Sequence, residues 1–176
     1  MVDIRRERLH ADVDGSFVVF LVGMRINRVR ALRQWLRVAR AAPRMVRELR
    51  DDDATGLLGS RTLVGWRTIT IVQYWESVDA LRSYARADGR EHLPAWVRFN
   101  RDAADSDAVG IWHETYRVDE ADYESVYRNM PPYGLGEVGE LVPADGGRES
   151  MSGRFGDGAS EGNAEAAPVA PDGSRR

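Results

Sequence analysis

Residues 66–75 read Trp-Arg-Thr-Ile-Thr-Ile-Val-Gln-Tyr-Trp, a run rich in β-branched and aromatic residues that predicts a β-strand. Successive side chains of a strand point to opposite faces. Val72 and Tyr74 therefore share one face, and Ile71 and Trp75 share the other. Because both faces are apolar, a sheet built on this strand needs a covering layer on each side. We expect helices on one side and a second copy of the chain on the other.

The segments around this strand alternate between strand-like and helix-like patterns. Their order is strand, helix, strand, strand, helix, strand, with one more helix at the end. This order is typical of a ferredoxin-like α+β fold, in which helices cover one face of a four-stranded antiparallel sheet. The predicted strands are Ser16–Ile26, Leu57–Val64, Trp66–Trp75 and Ala108–Val118, and the predicted helices begin at Asn27, at Ser77, at Asp88 and at Asp119, the last running through Asn129.

A change of composition near Pro143 marks the end of the predicted domain. Residues 143–176 contain seven glycines and three prolines, and their large apolar residues are limited to Met151, Phe155 and Val169. Such a stretch buries too little apolar surface to offset its chain entropy. We therefore predict one α+β domain over residues 1–142, followed by a disordered tail over residues 143–176.

The composition excludes several kinds of chemistry. All 25 basic residues are Arg, so a Schiff-base lysine and a P-loop lysine are excluded, and the absence of Cys excludes disulfides, thiolate metal sites and a cysteine nucleophile. The net charge of −3 argues against nucleic acid as a partner. The longest apolar run, Phe17–Met24, has eight residues, whereas a membrane span needs about 20. We expect a cytoplasmic protein with no membrane partner.

Charge is distributed unevenly along the chain. Residues 1–50 contain 12 Arg and 5 acidic residues, a net charge of +7, and the remaining residues contain 13 Arg and 23 acidic residues, a net charge of −10. One interpretation is that Arg lines the solvent-facing side of a helix. The other is that oppositely charged faces meet in a dimer.

Five segments carry a resemblance to a known group of proteins. The chain resembles the dimeric α+β barrel superfamily, which includes antibiotic-biosynthesis monooxygenases and haem-degrading monooxygenases. Within it, the chain looks closest to the subgroup named for a monooxygenase of fungal fumagillin biosynthesis. The five segments are Phe20–Asn27, Gln73–Ser77, His92–Trp96, Gly110–Tyr116 and Asn129–Leu135.

The resemblance implies a homodimer with one pocket per subunit, between the sheet and the helices. Family members oxidise polycyclic or isoprenoid-like substrates with molecular oxygen, often without metal or flavin, and another branch binds haem through a helical His. Asn27, Trp75 and His92 resemble the Asn, Trp and His in the pocket of the haem-degrading branch.

His92 is the first candidate for chemistry, because its predicted helix carries Ala95, Trp96 and Phe99 on the same face. An imidazole among apolar groups stays neutral and can act as a base or as a haem ligand. The structural alternative is a His at the edge of the core, bonded to a backbone carbonyl. We expect catalytic roles for His92, Asn27 and Trp75, and substrate contacts for Trp96, Tyr74, His113, Phe99 and Asn100.

His113 and Glu114 are neighbours on the last predicted strand, so they must point to opposite faces. His113 is either a residue of the hydrophobic core or a pocket residue. An iron site built from His92, His113 and either Glu91 or Glu114 lacks a recognised ligand spacing, and we expect no metal.

Three functions fit the sequence. The first is a homodimeric monooxygenase-like protein that acts on an apolar small molecule with molecular oxygen and without a cofactor. The second is a haem-binding protein of the dehydratase or haem-degrading type, with His92 as the ligand. The third is a binding module for a small apolar ligand, without catalysis.

Overall fold

The computed structural model describes residues 3–33, 35–36, 56–86, 107–120 and 122–155. Two antiparallel sheets, two short α-helices and two 3-10 helices, Gly134–Glu137 and Gly146–Arg148, form the named elements of these residues. The strands are β1 (Leu9–Asp12), β2 (Phe17–Ile26), β3 (Leu57–Val64), β4 (Thr68–Trp75), β5 (Val109–Val118) and β6 (Glu140–Pro143), and the helices are α1 (Val78–Arg86) and α2 (Met151–Arg154).

The larger sheet has the strand order β3-β4-β2-β5, and every neighbouring pair is antiparallel. The apolar strand β2 lies in the centre, with β4 on one side and β5 on the other. This is the strand order of a ferredoxin-like fold, and it confirms the predicted α+β class.

The register divides the sheet into two faces. The helix-side face carries Val18, Phe20, Ile71, Trp75 and their cross-strand neighbours, and α1 packs on it. The far face carries the alternate residues of the same strands, Phe17, Leu21, Val72, Tyr74 and Trp112 among them.

Helix α1 begins as predicted. The Oγ of Ser77 accepts a hydrogen bond from the backbone N–H of Ala80 at 3.1 Å, which is the geometry of an N-cap. Tyr84 then packs on Trp75 and Val18 in a buried cluster. This cluster fixes α1 against the end of the sheet where β4 ends.

A second buried cluster lies at the other end of the sheet and contains Met24, Ala108 and Val109, with Trp35 packed against it. Residues 32–33 and 35–36 are helical, within the helix predicted to begin at Asn27. Asn27 is predicted as its N-cap, but in the structure its side-chain Oδ1 accepts a hydrogen bond from Arg25 at 2.7 Å. The helix predicted from Asp88, with His92, Trp96, Phe99 and Asn100, lies outside the described residues.

Two predictions of secondary structure, one at the start of β4 and one after β5, are wrong. Trp66 does not belong to a strand, because the N–H of Gly65 bonds to the carbonyl of Thr68 at 2.8 Å and closes a turn that leaves Trp66 exposed. The helix predicted from Asp119 through Asn129 is absent from the described residues of that range. This segment instead pairs with β1, since Leu9 and Tyr127 exchange backbone hydrogen bonds.

Residues 143–155, predicted as part of the disordered tail, are ordered. Strand β6 pairs with β1, and α2 follows it. Arg154 forms an ion pair with Glu124 at 2.8 Å, and Arg148 forms one with Asp12 at 2.9 Å. These long-range contacts compensate for the low hydrophobicity of the segment. Residues 156–176 lie outside the described residues.

His10 of β1 is buried beneath this C-terminal segment. Neither of its ring nitrogens has a hydrogen-bond partner among the described residues. Burial lowers the pKa of His10, and the nearby Arg148 and Arg154 lower it further, although Asp12 and Glu124 act in the opposite direction. The imidazole is therefore held in its neutral form.

We expect the stability of the protein to fall as the pH drops below the ordinary His pKa of 6.5. Below this pH the unfolded chain binds a proton at His10 that the folded chain binds only at lower pH. The free energy of unfolding therefore falls by at most about 1.4 kcal/mol per pH unit through this site. Urea unfolding at several pH values measures this slope. The His10→Leu variant should show a flatter slope, and equal slopes in both proteins would contradict the assignment.

Candidate functional site

The helix-side face of the sheet carries a small number of polar side chains on an apolar surface. Gln73 is the buried one, and it lies on β4 between Ile71 and Trp75. Its Oε1 accepts a hydrogen bond from the indole N–H of Trp75 at 3.0 Å. Gln73 is absent from the residues expected from the sequence. The sequence does contain a signal for it, because Gln73 is the single amide among the large apolar residues of that face of β4.

His113 lies on the same face, in β5, opposite Val22 of β2. Its ring centroid is 5.8 Å from that of Phe20, and the side chain is exposed. The interpretation of His113 as a core residue is therefore wrong. We call Phe20, Val22, Gln73 and His113 the pocket floor, because the resemblance places a pocket between the sheet and the helices.

Glu114 points to the far face, so the two neighbours face opposite sides as predicted. The Oε2 of Glu114 accepts a hydrogen bond from the hydroxyl of Tyr116 at 2.6 Å. This bond raises the pKa of Tyr116. Since His113 and Glu114 lie on opposite faces, they cannot bind one metal ion together. Across the part of the chain that the structure describes, no group of three metal-binding side chains occurs.

Trp75 is predicted as a catalytic residue, but its side chain is fully buried. It packs against Tyr84, with ring centroids 5.4 Å apart, and its single polar atom is bonded to Gln73. In this arrangement Trp75 fixes the position of the Gln73 amide and does not reach the surface of the pocket floor.

Asn27 is also predicted as a catalytic residue, beside Trp75. The structure separates the two. Val18 pairs with Trp75, whereas Asn27 follows the last residue of β2, nine positions further along. At about 3.3 Å per residue, this places them roughly 30 Å apart. Both the backbone N–H and the carbonyl of Asn27 bond to other parts of the chain, to Ala108 and Arg67.

Tyr74 is predicted to contact substrate, but it lies on the far face, next to Phe17 at 6.4 Å between ring centroids. Burial raises its pKa, and the neighbouring Tyr127 and Glu137 raise it further. Gly134, with a positive φ of 59°, lies so close that a Cβ there would be 3.4 Å from the Tyr74 hydroxyl. Tyr74 therefore anchors the residues that cover this part of the far face.

The pocket floor combines an apolar surface with an amide and an exposed imidazole. The amide can orient a substrate carbonyl or hydroxyl, because Trp75 holds it in place. The imidazole can accept a proton or donate an electron pair to a metal. Of the residues expected from the sequence, the structure places His113 on this floor and separates Asn27 from it. It buries Trp75 beside the floor under α1 and puts Tyr74 on the other face.

The chain is similar to several solved structures. The crystal structure of an aldoxime dehydratase has a TM-score of 0.64 and 17% identity, and the match covers 82% of this chain and 45% of the dehydratase. SnoaB, a cofactor-independent oxygenase from Streptomyces nogalater, has a TM-score of 0.38 and 17% identity, with 57% of this chain and 91% of SnoaB covered. A conserved Bacteroides thetaiotaomicron protein has a TM-score of 0.45 and 11% identity, covering 58% of this chain and 97% of its own.

The likeness to the dehydratase concerns the fold, since the identity is low. A search of curated protein sequences gives no match. The family model named monooxygenase af470-like matches residues 17–135, from the first residue of β2 to the segment that covers Tyr74. Because this match spans more than half of the chain, the protein belongs to the monooxygenase af470-like family.

Proposed function

We propose that the protein is an oxidoreductase that oxidises an apolar small molecule with molecular oxygen on the pocket floor. The observation that carries the proposal is the floor itself, where Phe20 and Val22 supply the apolar surface and His113 an exposed imidazole. The family match supports the reaction type. An apolar floor with few polar groups suits a largely hydrocarbon substrate that is held by one or two hydrogen bonds.

The reaction we propose begins at an activated CH2 group of the substrate. An imidazole takes one proton, and the carbanion passes its electrons to molecular oxygen, with a new C–O bond formed. Loss of water then leaves a carbonyl. The oxygen molecule accepts all four electrons, one atom entering the product and the other the water, so no external reductant is needed. His113 is the described imidazole on this face, and the resemblance assigns the same role to His92.

The donor chemistry of the floor also suits haem. An exposed imidazole beside the aromatic ring of Phe20 offers a nitrogen ligand and an apolar contact. His92 or His113 would hold the iron, and haem, when bound, would supply redox chemistry to the same pocket. Gln73 would then orient the substrate, as in the cofactor-independent reaction.

Analysis of the protein as purified from its expression host tests the proposal. We expect mass spectrometry to detect an apolar small molecule bound to the protein. When this compound is supplied as substrate, the protein should consume oxygen. With isotopically labelled oxygen, the product should contain one labelled atom. The absorption spectrum is expected to lack a Soret band. A Soret band would make the protein a haem protein, and a retained ligand without oxygen uptake would make it a binding module.

We also propose that a second copy of the chain covers the open part of the far face. Residues 123–139 cover only the part near Phe17 and Tyr74. Beyond them, five apolar and aromatic side chains surround Glu114 and remain accessible to solvent, with Tyr116 and Leu63 exposed and the others partly exposed. Its residues are Leu21, Leu63, Val72, Trp112 and Tyr116.

A further inference from the structure

One end of the large sheet exposes four large apolar side chains to solvent. Trp66 is 90% exposed and Val64 78%, both at the turn between β3 and β4. Leu32 is 53% exposed and Val29 49%, both in the segment after β2. We call these four residues the apolar tip. Globular proteins seldom leave a Trp almost fully exposed beside other exposed apolar side chains, so the cluster requires an explanation.

Hydrogen bonds join the two segments that carry the apolar tip. The N–H of Ile26 donates to the carbonyl of Arg67 at 2.7 Å, and the Arg67 guanidinium donates to the backbone carbonyls of Ile26 and Asn27. These bonds tie the turn between β3 and β4 to the end of β2. The two segments that carry the apolar tip therefore leave the sheet side by side.

The surroundings of the apolar tip are strongly basic. The segments that carry it, residues 25–33 and 64–67, contain five Arg and no acid, and with Asp107, which pairs with Arg28, their charge is +4 in a chain whose net charge is −3. The acid, Asp107, already binds Arg28 at 2.6 Å. The other side chains except that of Arg67 are exposed. The five basic residues are Arg25, Arg28, Arg30, Arg33 and Arg67.

We propose that this end of the molecule docks on an anionic lipid surface. Trp66 and Val64 would enter the boundary between headgroups and acyl chains, where an indole ring is favoured, and the Arg side chains would contact lipid phosphates. The expectation of no membrane partner rested on the lack of a spanning segment, and the described part of the chain contains no helix that could span a bilayer. Docking on the surface needs no such helix.

A fluid lipid surface fits the geometry better than a protein partner. Trp66 and Val64 project from the turn, and Leu32 and Val29 project from the segment after β2. The turn also satisfies its own backbone, because the N–H of Gly65 is bonded to the carbonyl of Thr68 at 2.8 Å. The N–H of Gly65 is therefore not available to a peptide, and the edge strand β3 ends at Val64. This proposal does not depend on the reaction at the pocket floor.

Flotation of the full-length chain with lipid vesicles tests the proposal. We expect binding to vesicles of phosphatidylcholine with phosphatidylserine, much weaker binding to pure phosphatidylcholine, and a loss of binding as salt is added. The Trp66→Ser variant should bind roughly tenfold more weakly, because its indole supplies most of the inserted area. The Arg30→Gln, Arg33→Gln double variant should bind the anionic vesicles more weakly by a similar factor.

The matched control is Met151→Ser, which removes an exposed apolar side chain from α2, at a distance from the tip. Its binding should equal that of the parent chain. Equal binding by the parent chain and Trp66→Ser would overturn the proposal, as would failure of the parent chain to float with anionic vesicles at low salt. A lower sedimentation mass for Trp66→Ser would overturn it too, since the tip would then contact a second copy. An unchanged melting temperature of Trp66→Ser confirms that the variant is folded.

Discussion

Replacement of Trp75 by Ala is expected to lower the free energy of unfolding by about 3–5 kcal/mol, the range typical of a large aromatic residue removed from a core. Trp75 is 0% exposed and packs between Val18 and Tyr84. Its removal leaves a cavity at the junction of the sheet and α1. It also removes the hydrogen bond that Gln73 accepts at 3.0 Å, and so leaves a buried amide oxygen without its donor. Urea denaturation followed by circular dichroism measures the change.

The matched control is another Trp of the same strand region. Trp66 is 90% exposed, so Trp66→Ala should change the stability by no more than about 0.5 kcal/mol. A similar loss in both variants would contradict the division of this region into a buried strand end and an exposed turn. A small loss for Trp75→Ala alone would show that Trp75 does not hold α1 on the sheet.

Replacement of His113 by Asn is expected to lower turnover by a factor of about 10²–10⁴ once the substrate is known, the range typical of a lost general base. The imidazole is exposed on the pocket floor beside Phe20, so the exchange should cost little stability. Oxygen uptake at saturating substrate measures the rate, and the melting temperature measures the fold.

Glu114→Gln is the control, since Glu114 is the neighbour on the same strand and faces away from the pocket floor. We expect it to retain turnover. His92→Asn should be measured beside it, because the resemblance assigns the base to His92. If His92→Asn loses turnover and His113→Asn keeps it, the base lies on the helix and His113 contacts substrate only. If both variants keep it, proton removal by an imidazole is wrong.

Residue type and resemblance indicate candidate functional residues, but the sheet register decides which of them lie close together. Asn27 and Trp75 lie at opposite ends of the β2–β4 pair, because antiparallel strands bring the start of one beside the end of the other. Tyr74 and Trp75 are neighbours in sequence, yet they lie on opposite faces. Gln73 gains its position from Trp75, a contact that is not visible in composition or spacing.

The sequence by itself determined the large sheet, its strand order and the start of α1. These follow from local rules: alternation of apolar residues in β2 and β4, and a Ser at the N-cap. Tertiary structure alone decided the conformation of the chain after β5. Tyr127 and Pro143 pair with β1 more than a hundred residues earlier, and the ion pairs of Arg148 and Arg154 hold the segment that follows. Such pairing overrides local propensity, because its hydrogen bonds and burial come from distant parts of the chain.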